Sequence, residues 1–207
     1  MKKIDWYFDF ISPFAYLASQ SLDRLPADIE LRPCPVLFAG LLQHWETRGP
    51  AEIAPMRRFT FRHIQWLADI NDIPLKLPPI HPFNPLKLLR LCIALQDGQE
   101  LAQRLFRFVW SEGRSADNPN DWQALMTELG VDDEDCVSTT EVKIRLRQNT
   151  RDAIDKGIFG VPSFMVDGEI FWGFDSVDFL LAYLNEPELL RSPGMQAADA
   201  MPEGITR

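Results

Sequence analysis

The order of apolar patterns along the chain places strand-like segments at its two ends and helical patterns between them. Residues 4–11 mix aromatic, β-branched and acidic residues as a buried strand does, and residues 29–32 alternate as a second, short strand. Strand patterns return within residues 162–172, where Asp167-Gly168 is the preferred signal for a tight hairpin. We therefore expect one sheet formed by both ends of the chain, with the long middle segment inserted between its second and third strands.

Helical periodicity dominates that middle segment. A first helix follows the first strand, because Ser12 and Pro13 favour the N-cap and the first helical position, and we expect it to end before Pro26. We expect Pro33 and Pro35 to close the second strand. Five further helices are predicted before the hairpin and one after it, at residues 52–70, 85–95, 100–110, 121–129, 134–154 and 176–184.

These patterns predict an α/β fold, a small mixed sheet with a large all-helical insertion. The sheet domain is discontinuous and comprises residues 1–36 and 157–186, with the insertion at 37–156 and a flexible tail at 187–207. The acidic run at 132–135 is interpreted as a helix start rather than a cation site, because acidic residues are favoured in a first helical turn.

Composition excludes several classes of protein. Of the 207 residues, 46% are apolar and 25% are charged, so the chain can bury a sizeable core. A net charge of −9 argues against a protein that binds nucleic acid or an anionic membrane surface. Neither an apolar run long enough to span a membrane nor the apolar core of a signal peptide occurs. We therefore expect a cytoplasmic protein with neither membrane nor nucleic-acid partners.

Cysteine and histidine spacing argues against a dithiol or metal site. Cys34, Cys92 and Cys136 stand far apart without a C-x-x-C motif, which excludes a dithiol redox centre and a zinc ribbon and suits a reducing compartment. No metal site is predicted. The histidines lack metal-ligand spacing, and we expect each on the surface or in the core rather than at a catalytic position: His44, His63 and His81.

Two segments are candidates for chemistry. Ser12 lies where a strand gives way to a helix, and unpaired backbone N–H groups there favour an anion; the alternative is a serine that only caps its helix. Val161-Pro162 opens the third strand. A cis bond there would expose the backbone N–H and C=O of Val161 to a peptide-like ligand, whereas a trans bond is commoner, and both alternatives remain open.

Taken together, these segments carry a family resemblance over roughly residues 3–185. Its marks are F-D-F-x-S-P-F-A-Y-L-A at residues 8–18, F-N-P-L at 83–86 and G-I-F-G-V-P-S-F-x-V-D-G-E-I-F-W-G at 157–173. The chain resembles the 2-hydroxychromene-2-carboxylate isomerase family of the thioredoxin superfamily, related to kappa-class glutathione transferases and DsbA-like disulfide oxidoreductases. The resemblance implies a thioredoxin-like mixed sheet interrupted by the helical insertion.

The resemblance also implies a glutathione-dependent enzyme with Ser12 at the centre of its site. Because no cysteine lies near position 12, a bound thiol would have to supply the sulfur. A hydrogen bond to the sulfur and a nearby helix start together lower the pKa of such a thiol by roughly 1–3. We expect Ser12 to stabilise the thiolate rather than act as the nucleophile, since no histidine is placed by motif to deprotonate it.

Further ligand contacts follow from the same resemblance. Val161 and Pro162 would hold the cysteinyl part of glutathione through the backbone. Asp175 and Ser176 would bind its γ-glutamyl end, the aspartate pairing with the ammonium group and the serine capping the last helix under the carboxylate. The alternative is that both residues only cap the helix.

Other expected contacts lie in the insertion and on the substrate side. Asn84 would reach the ligand or the substrate, and Arg62 with Arg58 forms a basic strip that either holds carboxylates or is a solvated helix face. Phe14 and Trp172 are expected to line the substrate pocket, and the other tryptophans are expected mostly in the core. The loop at residues 43–50 departs from the pattern expected of close relatives, so it leaves the particular substrate open.

Three functions are compatible with these residues. The first is isomerisation of an aromatic keto-acid through reversible addition of the glutathione thiolate, and the second is a kappa-like glutathione transferase. The third is a non-catalytic thioredoxin-like binding module without redox cysteines. Relatives of this kind are commonly dimers, and a homodimer is expected.

Overall fold

The computed structural model describes residues 1–96 and 98–204, and a mixed sheet lies at its centre. Within those residues the sheet has four strands in the order β2-β1-β3-β4, which confirms the predicted thioredoxin-like fold class. β1 pairs in parallel with β2 and antiparallel with β3, and β3 pairs antiparallel with β4. The strands are β1 (Lys2–Phe8), β2 (Ile29–Pro35), β3 (Ser163–Val166) and β4 (Glu169–Trp172).

Two strand ends lie three residues away from their predicted positions. β1 ends at Phe8 rather than at residue 11, because the chain turns at Asp9, whose carboxylate accepts the Ile11 N–H. The prediction that Pro33 and Pro35 close the second strand is wrong, since β2 runs through both. β2 is an edge strand, where a missing N–H can face outward without loss of a ladder hydrogen bond.

Nine α-helices occur among the described residues, and six of them lie between β2 and β3, as expected of a helical insertion. They are α1 (Pro13–Ser19), α2 (Phe38–His44), α3 (Ala54–Ile70), α4 (Leu86–Leu95), α5 (Gly98–Trp110), α6 (Pro119–Glu128), α7 (Thr140–Asp155), α8 (Val177–Asn185) and α9 (Pro193–Asp199). Helix α2 was not predicted, because its seven residues are too few for a clear periodicity.

Side-chain caps explain where several helices begin. Asn118 caps α6 by accepting the N–H groups of Asn120 and Asp121. The helix predicted at residues 134–154 is divided into a short 3₁₀ helix (Glu134–Ser138) and α7, because Thr139 caps the second part through the Val142 N–H. The acidic run does begin the 3₁₀ helix, where the Asp133 carboxylate accepts a backbone N–H.

The two faces of the sheet bury separate apolar clusters. On one face Trp6 and Phe8 pack with centroids 4.3 Å apart, and Phe106 of α5 completes the contact. On the other face Tyr7 packs with Leu41 and Ile158. Burial of each such side chain contributes about 1.5–3 kcal/mol, and both clusters include side chains of the insertion, so each of them holds the insertion against the sheet.

Three of the six tryptophans are exposed, and two of these three, Trp45 and Trp66, belong to the five that were expected mostly in the core. Trp6, Trp110 and Trp122 are buried as expected. The exposed ones are Trp45, Trp66 and Trp172, with 40%, 56% and 54% of their surface accessible. An exposed tryptophan does not gain the large stabilisation that burial of its ring would give, so these three side chains do not contribute fully to the core.

The expected tail is helical over most of residues 187–199. A 3₁₀ helix (Pro187–Arg191) and α9 follow α8, and Leu189 and Leu190 pack partly buried against the main core. Residues 205–207 of the predicted tail lie outside the described residues. None of the helices in the described residues is long and apolar enough to cross a membrane.

Asp9 joins the sheet to the insertion from a fully buried position. Its carboxylate accepts the Ile11 N–H at 3.1 Å and, at the start of α2, the Phe38 N–H at 2.8 Å. Burial raises the pKa of this carboxyl from 3.8 to about 7, and the backbone hydrogen bonds oppose the rise. Ionisation of Asp9 in the folded protein therefore lowers the free energy of unfolding.

Replacement of Asp9 by asparagine should flatten the pH dependence of the unfolding free energy. The folded pKa near 7 lies above the unfolded value, so this contribution is fully present below about pH 4 and is lost as the pH rises to 7, by at most about 1.4 kcal/mol per pH unit. Urea unfolding of both proteins between pH 4.5 and 8.5 measures the difference. Parallel pH profiles for wild type and Asp9→Asn would contradict the raised pKa.

Candidate functional site

Ser12 lies at the meeting point of two segments that are 149 residues apart in the chain. Its hydroxyl donates to the Val161 carbonyl at 3.3 Å and accepts the Ala15 N–H at 3.2 Å. It therefore caps α1, as one of the two alternatives for this serine expects, and it also contacts the second candidate segment. The Val161-Pro162 bond is cis, and the Val161 N–H has no acceptor in residues 1–96 and 98–204.

The sheet explains why these segments meet. β1 and β3 are antiparallel neighbours in which Tyr7 is opposite Ser163. The residues that follow β1 and those that precede β3 therefore leave the sheet at the same end. Ser12 and Val161 are both largely buried there, at 8% and 7% exposure.

Side chains of the insertion hold the loop between β1 and Ser12. The Trp110 indole donates to the Phe10 carbonyl at 2.8 Å, and His81 Nε2 lies 2.9 Å from the Ile11 carbonyl. The Asp9 carboxylate binds the start of α2 from the same loop. Three hydrogen bonds to the insertion therefore fix the backbone immediately before Ser12.

His81 is the residue that sequence reasoning missed. It was expected on the surface or in the core without a role at the site, yet it is half-buried and contacts the backbone next to Ser12. Burial lowers the pKa of the imidazole, while its contact with the Ile11 carbonyl opposes that shift. The carbonyl contact assigns the ring proton to Nε2. No local motif in the sequence indicates this contact of His81, because its partner Ile11 lies 70 residues away in the chain.

Trp172 borders the backbone of the second segment. A Cβ placed on Gly160 would lie 2.4 Å from Trp172 Nε1, so the indole rests directly on this glycine, one residue before Val161. The Phe159 ring lies 5.1 Å from it, and both rings are exposed. The 43–50 loop reaches the same segment, since Trp45 Nε1 donates to the Ile158 carbonyl at 3.0 Å.

The turn that contains Asp175 and Ser176 is joined to Pro162. The Gly173 N–H donates to the Pro162 carbonyl at 2.9 Å. Ser176 occupies the N-cap position of α8, but the expectation that its side chain caps the helix is wrong, because the hydroxyl donates to the Gly173 carbonyl at 2.9 Å instead. Asp175 is exposed, and its carboxylate lies over Gly173.

The remaining expected residues surround the site less closely. Phe14 is half-buried, and its ring lies 6.1 Å from that of His63 on α3. Asn84 is exposed and accepts the Leu86 N–H at 3.0 Å just before α4. Arg62 is exposed on α3 and forms no ion pair within the described residues. Neither Asn84 nor Arg62 contacts Ser12 or Val161 in this structure.

The cysteines of the chain are poorly suited to thiolate chemistry. Burial raises the pKa of Cys34 and of Cys92 to about 12, and burial and nearby carboxylates raise that of Cys136. Cys34 and Cys92 line a separate cavity of about 460 Å³ between β2, α4 and α7. No group of three or more possible metal ligands occurs among the described residues. None of the three cysteines therefore offers a readily formed thiolate.

Curated proteins of two kinds are similar to this chain over most of its length. A 2-hydroxychromene-2-carboxylate isomerase from Sphingobium xenophagum is 29% identical over 88% of this chain and 98% of its own. A glutathione S-transferase kappa 2 from Caenorhabditis elegans is 26% identical over 90% of this chain and 93% of its own. These relatives confirm the resemblance predicted from the sequence.

The fold comparison leads to the same group of proteins. A solved 2-hydroxychromene-2-carboxylate isomerase superposes with a TM-score of 0.79 at 24% identity, covering 97% of this chain and all of that one. The model of the DSBA-like thioredoxin domain matches residues 3–185, from β1 to the end of α8. The chain is therefore a member of the DSBA-like thioredoxin domain family, with a serine at the start of its first helix.

Proposed function

We propose that the chain is a glutathione-dependent isomerase of aromatic keto-acids, of the 2-hydroxychromene-2-carboxylate isomerase type. The observation that carries this proposal is the Ser12 hydroxyl at the start of α1, 3.3 Å from the Val161 carbonyl, in a site without a thiol of its own. The isomerases among the relatives, which match over most of their length, support the reaction class.

Glutathione would bind as an extended peptide along the second segment. The free N–H and the carbonyl of Val161, next to Pro162, would pair with the backbone of its cysteinyl residue, as a strand edge pairs with a peptide. The exposed carboxylate of Asp175 would pair with the γ-glutamyl ammonium group. Ser176 would face the γ-glutamyl carboxylate after its hydroxyl rotates away from the Gly173 carbonyl.

Ser12 would then stabilise the thiolate of the bound glutathione. Its hydroxyl can rotate from the Val161 carbonyl to donate to the sulfur, and the electropositive start of α1 favours the charged form. Ser12 is not proposed as a nucleophile, because none of the described side chains that could deprotonate it lies within hydrogen-bonding distance.

Isomerisation follows from reversible addition of the sulfur. The thiolate adds to the conjugated double bond of the substrate, which converts that bond into a rotatable single bond. After rotation the carbon–sulfur bond breaks and the double bond re-forms, so glutathione is regenerated and acts as a cofactor. Phe14 and Trp172 would line the aromatic part of the substrate, and Arg62 or Asn84 would bind a carboxylate of substrate or glutathione.

A kappa-like glutathione transferase is the second candidate, and the relatives of that class favour it. In that case the thiol adduct would leave as product and glutathione would be consumed. The same Ser12 site would serve both reactions. Cytoplasmic location and a homodimer remain predictions.

Incubation with 2-hydroxychromene-2-carboxylate should separate the candidate functions. We expect an absorbance change that requires glutathione, with the free-thiol concentration unchanged at the end, because the isomerase returns its cofactor. Loss of one thiol per product would support the transferase instead. Binding of glutathione without any reaction of aromatic keto-acids or electrophiles would leave only a binding module and would contradict the isomerase.

Ser12→Ala should raise the pKa of bound glutathione and lower kcat/KM about ten- to hundredfold, since a hydrogen bond to a charged group contributes about 1.5–3 kcal/mol. The ultraviolet absorbance of the thiolate, titrated against pH, measures the first effect. Ser21→Ala is a matched control, because Ser21 is equally buried and lies outside the site. Unaltered thiol titration in Ser12→Ala would contradict the proposed role.

Asp175→Asn should weaken glutathione binding about three- to tenfold while leaving the dipeptide cysteinylglycine unaffected, since that dipeptide lacks the γ-glutamyl group. Calorimetric titration of both ligands measures the two dissociation constants. Asp178→Asn, which removes an exposed carboxylate that pairs with Arg24, is the control. An equal loss for both ligands would contradict a specific contact with the γ-glutamyl end.

A further inference from the structure

His81 contacts the loop that carries Ser12 through one of its two ring nitrogens. Nε2 lies 2.9 Å from the Ile11 carbonyl, which belongs to the peptide group that links Ile11 to Ser12. Nδ1 is buried and has no hydrogen-bond partner within residues 1–96 and 98–204. Because a carbonyl can only accept, Nε2 carries the proton of the neutral ring and Nδ1 carries none.

Aromatic side chains from several segments enclose the ring of His81. Its centroid lies 5.2 Å from that of Phe61 on α3, 6.1 Å from that of Phe83 and 5.7 Å from that of Trp110 on α5. The rings of Phe61 and Phe83 carry no polar atom, and the indole N–H of Trp110 already donates to the Phe10 carbonyl. A second proton on the imidazole would therefore find no acceptor among these neighbours.

A charged or titratable side chain faces this arrangement from α3 and another from the loop. Arg57 of α3 lies over the Phe61 ring, 4.8 Å from its centroid. Burial lowers the pKa of His81, its contact with the Ile11 carbonyl opposes that shift, and the charge of Arg57 lowers the pKa further. The Asp9 carboxylate accepts the Ile11 N–H at 3.1 Å, so Ile11 is held at its N–H by Asp9 and at its carbonyl by His81.

We propose that neutral His81 is a positioning residue for Ser12 and that protonation of the imidazole releases the Ser12 loop. The neutral ring holds the Ile11 carbonyl through its Nε2–H, and this peptide group leads directly into Ser12. The protonated ring would bury a second N–H without an acceptor and place a positive charge near Arg57, which costs more than one hydrogen bond contributes. Since His81 is only half-buried, the charged ring can turn toward solvent and leave the carbonyl.

The inference rests on the proposed function only for its effect on the reaction. If Ser12 stabilises the thiolate of glutathione, the hydroxyl has its correct position only while His81 is neutral. Activity would then fall at acid pH more steeply than protonation of the thiol alone explains. The positioning itself is a property of the free protein and can be measured without glutathione.

His81→Leu should loosen the Ser12 loop in the free protein. The Ala15 N–H reports the position of Ser12, because it donates to the Ser12 hydroxyl. We expect its hydrogen exchange, measured by NMR, to quicken about tenfold relative to that of the Leu180 N–H in α8, which donates to the Ser176 carbonyl. His81→Gln keeps an N–H donor without titrating and should restore slow exchange. Equal acceleration at Ala15 and Leu180 would indicate a loss of global stability alone and would contradict the proposal.

NMR of the imidazole nitrogens tests the protonation state of His81. At pH 8 we expect a proton on Nε2 and none on Nδ1, and a titration midpoint below the ordinary value of about 6.5. The ratio of exchange at Ala15 to that at Leu180 should rise in wild type as the pH falls through this midpoint. Asp9 titrates in wild type and in His81→Gln alike, so the difference between the two proteins reports His81. A proton on Nδ1 at pH 8, or equal pH dependence of the ratio in both proteins, would overturn the proposal.

The glutathione-dependent reaction supplies a kinetic test. His81→Leu should lower kcat about tenfold at pH 8 and change the KM for glutathione less than about threefold, because Val161 and Asp175 still bind the peptide. His81→Gln should lie within about threefold of wild type at pH 8. Below about pH 6, log kcat/KM should fall with one proton fewer in His81→Gln than in wild type. His44→Gln, at an exposed histidine of α2, is the matched control and should keep the wild-type profile.

The two kinds of test separate failure of this inference from failure of the proposed function. Selective loosening at Ala15 in a protein without glutathione-dependent activity would contradict the proposed function and support the positioning role. Activity with identical pH profiles in wild type and His81→Gln would overturn the inference and leave the proposed function intact. Equally low activity of His81→Gln and His81→Leu at pH 8 would assign the effect to ring packing rather than to the N–H donor, and would also overturn it.

Discussion

The antiparallel pairing of β1 with β3 is the interaction on which the site depends. It joins the first strand of the chain to a strand more than 150 residues later, with Tyr7 opposite Ser163. Because both chain segments leave the sheet at one end, the Ser12 hydroxyl and the Val161 carbonyl come within 3.3 Å. A change of register by one residue would turn the side chains of β3 to the opposite face and separate these groups.

The helical insertion also contributes directly to this site. The loop between β1 and α1 carries backbone groups that the sheet cannot satisfy, and buried polar groups without partners are costly. Trp110 and His81 from the insertion bind the Phe10 and Ile11 carbonyls, while Asp9 binds the start of α2. The position of Ser12 is therefore set by the thioredoxin-like sheet and by the insertion together.

The protein separates its own thiols from its candidate site. Its cysteines lie in β2, in α4 and in the 3₁₀ helix before α7, and burial raises the pKa of each. The residue at the start of α1 is a serine, which carries no thiol. This division is compatible with the proposed function, in which a ligand supplies the sulfur.

The sequence alone determined the order of the four strands along the chain, the helix start at Ser12-Pro13 and the Asp167-Gly168 hairpin, where both residues have positive φ. Each of these depends on the conformational preferences of neighbouring residues, which a local pattern records. Family motifs added Ser12, Val161 and Asp175 as candidates.

Only the tertiary structure decided the cis state of Val161-Pro162, the hydrogen bond from the Ser176 hydroxyl to the Gly173 carbonyl, and the contacts of His81 and Asp9. The same holds for β2, which continues through its prolines because it is an edge strand. These features depend on partners distant in sequence or on which backbone groups face solvent. The residues that neighbour a given residue in the sequence encode neither its distant partners nor the solvent exposure of its backbone groups.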